Sequence, residues 1–204
     1  MRISDNVILL HQTQFSAKSP PTKPKNADVR PREYLTEHEV DALIHMARKG
    51  RHGHRDATLI LIMYRHGLRV SEAVSLKWSD IEFKTGVLSV RRAKKGQDGV
   101  HPMTGQEIRA LRRIQRESTS PYVFVSERGT PMTTRNVRQI VKRAGRAMPF
   151  PVHPHMLRHG CGYKLINDGV DVRTVQQYLG HASINSTVIY TKLDSRRFDG
   201  LWRD

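Results

Sequence analysis

Residues 66–76, HGLRVSEAVSL, join the end of one helix to the start of another in a chain of 204 residues. The segment before them is strongly apolar and predicts a helix at the centre of the core. Gly67 would end this helix, because glycine readily adopts the left-handed conformation of a helix C-terminus. Arg69 then lies near the core, where an arginine needs a partner, and Glu72 is three residues away. The stretch alone is compatible with a structural ion pair and with a functional arginine.

The rest of the chain predicts a mainly α fold with a small antiparallel β-sheet, an α+β class. Thr36 with Glu39, and Thr104 with Glu107, have the spacing of capping boxes that begin helices. The predicted helices cover residues 36–49, 55–66, 71–76, 104–116, 134–147, 154–167, 172–179 and 184–191. The predicted extended segments are two strands within IEFKTGVLSVRR, residues 81–92, a third near residues 100–102, and a short buried piece at residues 122–125.

Charge is the most informative property of the composition. The formal net charge is +16, which predicts a polyanionic partner, and nucleic acid is the first candidate because each neutralised phosphate releases counterions. A generic basic protein is the alternative. The longest aliphatic run, residues 59–63, is far too short to span a bilayer, and no secretion signal is evident. The single cysteine, Cys161, fits a reducing compartment, so we expect a cytoplasmic, nucleoid-associated protein.

The composition changes near residue 32. Residues 1–32 include a segment rich in proline and basic residues, which predicts an extended arm that either touches DNA or serves as a linker. Residues 33–204 are expected to form one catalytic domain. Within the final segment, 194–204, the apolar residues Phe198, Leu201 and Trp202 share one helical face that needs a surface to pack against.

The predicted helix 134–147 has two distinct faces. One is apolar, and the other consists only of basic residues with no acidic residue in the helix to offset them. A basic face can be merely solvated, but in so basic a chain we expect it to contact DNA phosphates. The residues of this basic stripe are Arg135, Arg138, Lys142 and Arg146.

Three further segments concentrate polar groups that can act on a phosphodiester. The loop AKKGQDGV, residues 93–100, carries Lys94 and Lys95. HPHMLRHGCGYKL, residues 153–165, places His155 and Arg158 on one helical face. The third segment, LGHASINSTVIYTKL, is residues 179–193, and it contains His181 and Tyr190.

The histidines of HPHMLRHGCGYKL also raise the possibility of a metal site, since His155 and His159 have His-x-x-x-His spacing. No neighbouring carboxylate or cysteine pattern completes a ligand set, and Arg158 on the same face would repel a cation. We therefore expect no metal and no cofactor. Arginines can instead stabilise the charge of a phosphoryl transition state through bidentate hydrogen bonds.

Taken in order, these motifs resemble the tyrosine recombinase, or phage integrase, family. The resemblance runs from about residue 34 to residue 202 and is greatest to the short fimbrial phase-variation recombinases. It implies a site-specific recombinase that inverts a DNA switch, or integrates and excises a mobile element. A catalytically silent DNA-binding regulator with the same fold is the alternative, and a type IB topoisomerase-like nicking enzyme would share the chemistry.

The resemblance also implies a role for each residue. Tyr190 would attack the scissile phosphate and form a 3′-phosphotyrosyl link, while Arg69 and Arg158 clamp the non-bridging oxygens. His155 would assist proton transfer at the tyrosine side, and His181 would donate to a phosphate oxygen. The remaining implied residues are Lys95, chosen over Lys94 as the acid that protonates the leaving 5′-hydroxyl, and Glu72, which holds Arg69.

The implied reaction needs neither a metal nor ATP, because the covalent link conserves the energy of the broken phosphodiester. Exchange between two double-stranded sites needs four active sites, and thus a homotetramer on DNA. The resemblance also implies that the C-terminal segment, residues 194–204, docks on a neighbouring copy; packing on its own protomer is the alternative. We expect no separate helical N-terminal domain of the kind that clamps DNA in longer integrases, which leaves room for accessory DNA-bending proteins.

Overall fold

The apolar segment that precedes HGLRVSEAVSL forms the central helix. A computed structural model describes residues 32–93 and 96–191, and it places this helix at Gly53–Arg65 with side chains such as Leu59, Ile60 and Ile62 fully buried. An apolar helix of this kind needs neighbours on several sides. This central helix is α2. The helices that pack against it include α1 (Glu37–Arg48), α4 (Gly105–Arg116) and α6 (Pro154–Asn167).

Both predicted capping boxes are confirmed. At the start of α1, the Thr36 backbone N–H donates to the Glu39 carboxylate at 2.8 Å, and the Thr36 hydroxyl accepts from the Glu39 backbone N–H. At the start of α4, the Glu107 carboxylate accepts from the backbone N–H and the hydroxyl of Thr104, each at 2.8 Å. These contacts satisfy backbone donors that have no partner inside the helix.

The sheet is a three-stranded antiparallel meander, as predicted. Its strands are β1 (Ile81–Glu82), β2 (Val87–Val90) and β3 (Gly99–Pro102), in the order β1-β2-β3. The first two strands are shorter than the sequence predicted, because the second ends at Val90 and does not continue to residue 92. Pairing stops after Val90 because the backbone N–H of Arg92 donates to Asp98 Oδ1 at 2.7 Å, and the Arg92 side chain turns into the core.

The other helices follow the predictions closely, with two corrections. The short helix α3 is Val70–Ser75, and α7 is Val172–Leu179. Residues 134–147 and 184–191 are each an α-helix followed by a 3₁₀ turn rather than one continuous helix. In the first case the turn begins at Gly145, where an added Cβ would lie 2.6 Å from Val152. The segments are α5 (Thr134–Ala144) with Gly145–Ala147, and α8 (Asn185–Val188) with Ile189–Thr191.

Two predicted features lie outside the described residues. The basic arm, residues 1–32, is described only at Arg32, and the C-terminal segment 194–204 is not described at all. Residues 122–125 form the predicted extended piece, with isolated bridges at Tyr122 and Val125. Across the described part of the chain, no helix is long and apolar enough to cross a bilayer.

A polar cluster is buried where α2, β3, α4 and α7 meet. His66 Nε2 donates to the Glu107 carboxylate at 2.7 Å, and His66 Nδ1 lies 3.3 Å from His101 Nδ1. The His101 ring stacks on Tyr178 with ring centroids 3.8 Å apart. Burial, followed by the nearby His66, lowers the pKa of His101 to about 3. This imidazole therefore stays neutral in the folded protein over the whole range in which a free histidine titrates.

We expect the free energy of unfolding to fall between pH 7 and pH 5, above the range in which carboxyl groups titrate. A histidine whose folded pKa is depressed favours the folded state most above its unfolded pKa of about 6.5, and this advantage is lost as the pH falls toward the folded pKa. Denaturant unfolding at several pH values measures the effect. His101→Leu should give a shallower dependence, whereas His45→Leu, at an exposed position, should not. A flat wild-type profile would contradict the prediction.

Candidate active site

A single buried carboxylate organises the site. Glu72 lies in the first turn of α3, where Oε1 accepts from Arg69 Nη1 at 2.7 Å and Oε2 accepts from Arg92 Nη1 at 2.9 Å. Arg158 Nη1 lies 4.0 Å from Oε2. The backbone N–H of Ala93 donates to Oε1 at 3.0 Å, which ties the segment after β2 to the same carboxylate. One carboxylate thus connects three guanidinium groups from three separate segments.

The two predicted arginines are held in different ways. Arg158, on α6, is buried, and it donates to the carbonyl oxygens of Gly67 and of Leu179, the latter at 2.7 Å. Burial, followed by the neighbouring Arg69 and Arg92, lowers the pKa of Arg158 to about 10, so it is still charged at pH 7. Arg69 keeps 28% of its side chain exposed. Arg69 is therefore the more accessible of the two to an incoming phosphate.

The predicted nucleophile lies beside these arginines. Tyr190 is in the 3₁₀ turn after α8 and is 2% exposed, and its hydroxyl lies 3.1 Å from His159 Nδ1. Its ring fits against Gly162, where an added Cβ would come within 2.5 Å. Burial raises the pKa of Tyr190 to about 12, and the nearby Arg158 and Arg69 act in the opposite direction. The phenol is thus protonated at rest, close to two positive charges.

His181 follows the left-handed Gly180 (φ 64°) that ends α7. Its Nδ1 lies 2.8 Å from Thr187 Oγ1, and its ring stacks on Tyr190 with centroids 6.2 Å apart. Burial, followed by the charges of Arg158 and Arg69, lowers the pKa of His181 to about 4. A neutral imidazole held in this way has one ring nitrogen engaged by Thr187 and the other available to a ligand.

His155 lies at the edge of the site. It is exposed near the start of α6, with its ring centroid 6.3 Å from that of His159. Within residues 32–93 and 96–191, no three His, Cys, Asp or Glu side chains are placed to hold a metal ion together.

The predicted lysines cannot be placed, because Lys94 and Lys95 lie outside the described residues. The residues at the two ends of this loop, Ala93 and Gly96, are described. Ala93 is bonded to Glu72, and at Gly96 an added Cβ would lie 2.9 Å from the carbonyl oxygen of Gly180. Both ends of the loop are therefore held beside the residues described above.

Two residues of the site were missed by sequence reasoning. Arg92 is one, and its fully buried side chain donates to Glu72 and to the carbonyl oxygens of Gly67 and His66. A signal existed, because Leu88, Val90 and Arg92 are spaced two residues apart and would share the inner face of the predicted strand. His159 is the other. It was considered only as a metal ligand, although it follows Arg158 directly.

The basic stripe is exposed as the sequence predicted. Arg135, Arg138, Lys142 and Arg146 are all exposed, while Val137, Ile140, Val141 and Ala144 on the other face are buried. Helix α5 packs against α3, which carries Glu72. The stripe is thus on a helix that adjoins the site.

Comparison with known proteins identifies the family of the chain. Residues 33–197 match the model of the phage integrase family. The type 1 fimbriae regulatory protein FimB of Escherichia coli K12 is 38% identical over 184 residues, which are 86% of this chain and 92% of FimB.

Two solved structures are similar in fold. The crystal structure of XerA recombinase superposes with a TM-score of 0.71 at 30% identity, covering 79% of this chain and 61% of that one. The XerH site-specific recombinase bound to palindromic difH substrate, in a post-cleavage complex, gives a TM-score of 0.66 at 26% identity, covering 86% and 54%.

We expect Glu72→Gln to lower the free energy of unfolding by about 3–5 kcal/mol, because it removes the negative charge that compensates the buried Arg92. Glu117→Gln, at an exposed position, is the matched control, and it should change stability by less than about 0.5 kcal/mol. Chemical denaturation of both variants measures the difference. Equal unfolding midpoints would contradict the central role of Glu72.

Proposed function

The chain belongs to the phage integrase family, and on that premise we propose that it is a site-specific recombinase whose nucleophile is Tyr190. As a tyrosine recombinase, it breaks and rejoins DNA. One observation carries the assignment of the nucleophile: the buried phenol of Tyr190 lies in the same site as Arg69 and Arg158, whose guanidinium groups are tied to Glu72.

Arg69 and Arg158 stabilise the negative charge of the phosphate in this mechanism. In the proposed mechanism Arg69 and Arg158 donate to the non-bridging oxygens of the scissile phosphate, and this contact strengthens as negative charge builds up during attack. Glu72 and the carbonyl oxygens of Gly67 and Leu179 fix the guanidinium planes before the substrate arrives. Pre-organised donors avoid the cost of reorientation during the reaction.

Two proton transfers and one hydrogen bond complete the proposed reaction. The phenol of Tyr190 loses its proton as it attacks, and His155 assists at this side. His181, neutral at pH 7, donates its available N–H to a phosphate oxygen. Lys95 protonates the leaving 5′ oxygen. The 3′-phosphotyrosyl link conserves the energy of the broken bond, so rejoining requires no ATP, and none of these steps calls for a metal.

DNA is the partner that the family and the charge support. The XerH structure is of a site-specific recombinase bound to palindromic difH substrate, and this chain carries a formal charge of +16. We propose that four copies assemble on paired double-stranded sites, that residues 194–204 dock on a neighbouring copy, and that the arm 1–32 touches DNA. Accessory DNA-bending proteins would assist the assembly.

The biological role follows from the likeness to FimB, a regulatory protein of type 1 fimbriae. We propose inversion of a DNA switch that controls fimbriae, with integration or excision of a mobile element as the other outcome of the same chemistry. The enzyme would then work in the cytoplasm, on nucleoid DNA. A silent DNA-binding regulator is not supported, because the chain retains all six of the residues that the reaction uses.

We expect wild-type protein to form a covalent protein–DNA adduct on a nicked suicide substrate, and Tyr190→Phe to form none, because only the hydroxyl can attack. Tyr163→Phe is the matched control, since its ring packs against Tyr190 with centroids 5.0 Å apart. Denaturing gel electrophoresis detects the adduct. An adduct of normal yield in Tyr190→Phe, or none in the wild type, would refute the proposal.

The basic stripe should contribute to affinity mainly through charge. Arg138→Gln and Lys142→Gln should each weaken DNA binding on all sequences and reduce the slope of log K against log salt by about 1. Arg116→Gln, exposed on α4, is the control that should leave the slope unchanged. Fluorescence anisotropy over a range of salt concentrations measures both quantities. Unchanged slopes in the α5 variants would place the DNA elsewhere.

A further inference from the structure

We infer that His159 is a further catalytic residue, whose Nδ1 accepts the proton that Tyr190 loses when its oxygen attacks the phosphate. The inference rests on the proposed function, because it takes Tyr190 as the nucleophile. It assigns the direct proton acceptor to a different residue from His155, which the sequence placed at the tyrosine side.

The contact itself is the first argument. His159 Nδ1 lies 3.1 Å from the Tyr190 hydroxyl oxygen, within the range for a general base and its proton, and the two rings meet edge to face with centroids 5.7 Å apart. His155 is exposed, and its ring centroid lies 6.3 Å from that of His159. His181 already uses Nδ1 to contact Thr187. His159 is therefore the imidazole placed to receive the proton.

The position on α6 is the second argument. His155, Arg158, His159 and Gly162 are spaced i, i+3, i+4 and i+7, so they share one helical face. Arg158 is expected to hold the phosphate, and Gly162 makes room for the phenol ring. A rigid helix thus fixes the proton acceptor next to both the phosphate ligand and the nucleophile, which gives the alignment that general-base catalysis needs.

The protonation states agree with this role. Burial, followed by the neighbouring His155, lowers the pKa of His159 to about 4, so the imidazole is neutral at pH 7 and has a lone pair to offer. The groups that face His159 are Arg158, His153 and Glu33, together with the phenol of Tyr190. The phenol, with its raised pKa, holds its proton until attack begins. Transfer must therefore accompany the formation of the phosphorus–oxygen bond, which makes the phenolic oxygen far less basic.

The step balances as a single displacement. The O–H bond of Tyr190 breaks and an N–H bond forms at Nδ1 of His159, while the phenolic oxygen bonds to phosphorus. The bond from phosphorus to the 5′ oxygen breaks, and that oxygen takes a proton from the general acid, for which Lys95 is proposed. When the strand is resealed, the 5′-hydroxyl gives its proton back to the general acid and attacks phosphorus, the bond from phosphorus to the phenolic oxygen breaks, and His159 returns its proton to the departing phenol.

The test measures single-turnover cleavage of a nicked suicide substrate by His159→Ala and His159→Gln. We expect a loss of about 10²–10⁴-fold in the rate of adduct formation for both, because neither side chain can take up the proton. His45→Ala, at an exposed position of α1, is the control and should cleave at the wild-type rate. Gln keeps a hydrogen-bonding side chain, so it preserves the fold and the phenol contact if Ala does not.

Two further measurements distinguish a general base from a residue that only supports the structure of the site. Tyr190 is replaced by a difluorotyrosine, whose phenol is more acidic. This replacement should restore much of the lost rate to His159→Ala, because a more acidic phenol loses its proton more readily without a general base. A substrate with a 5′-bridging sulfur, which leaves without an acid, should not restore His159→Ala, although it should restore Lys95→Ala.

The possible outcomes distinguish failure of the proposed function from failure of the assignment of His159. Absence of any wild-type adduct refutes the proposed function itself rather than the assignment of His159. If the wild type cleaves and His159→Gln cleaves within about threefold of it, well short of the expected loss, the inference is overturned. It is equally overturned if His159→Ala is slow but fluorination gives no recovery, or if the sulfur substrate rescues it.

Discussion

The whole site depends on the carboxylate of Glu72 and its three guanidinium partners. A buried ion pair is costly to desolvate, and it persists only where good geometry and further hydrogen bonds compensate. Here burial alone would raise the pKa of Glu72, yet hydrogen bonds from the backbone and side chain of Arg69 and the nearby charge of Arg92 lower it. The cluster therefore remains ionised. It connects the loop after α2, the end of the sheet and α6, which are distant in sequence.

Much of the fold could be predicted because its determinants are local. The central helix follows from an apolar run, and α1 and α4 follow from capping boxes that four residues each can specify. The bounds of α6 and α7 were predicted to the residue, since Pro154 suits the first turn of a helix and Gly180 the left-handed position that ends one.

The rest depends on contacts between distant segments. Arg92 finds Glu72 twenty positions away, and nothing within β2 and its continuation specifies that partner. The approach of Tyr190 to His159 depends on the angle at which the segment after α7 returns to α6. Gly162 leaves space for the Tyr190 ring, but a glycine at this position does not by itself predict which side chain fills that space. Motif order brought Arg69, Arg158, His181 and Tyr190 into one hypothesis. The distances between these side chains, and the neutral state of the buried histidines, could be determined only from the three-dimensional structure.

The charge balance around Glu72 has a practical consequence. Three guanidinium groups share one carboxylate, and Arg158 finds its other partners among uncharged peptide oxygens, so the cluster carries a surplus of two positive charges. Such a surplus attracts any small tetrahedral oxyanion, not only a nucleic acid backbone. Inorganic phosphate and sulfate in laboratory buffers will thus act as competitors, and a cationic amine buffer with chloride as its counterion is the appropriate medium for handling this enzyme.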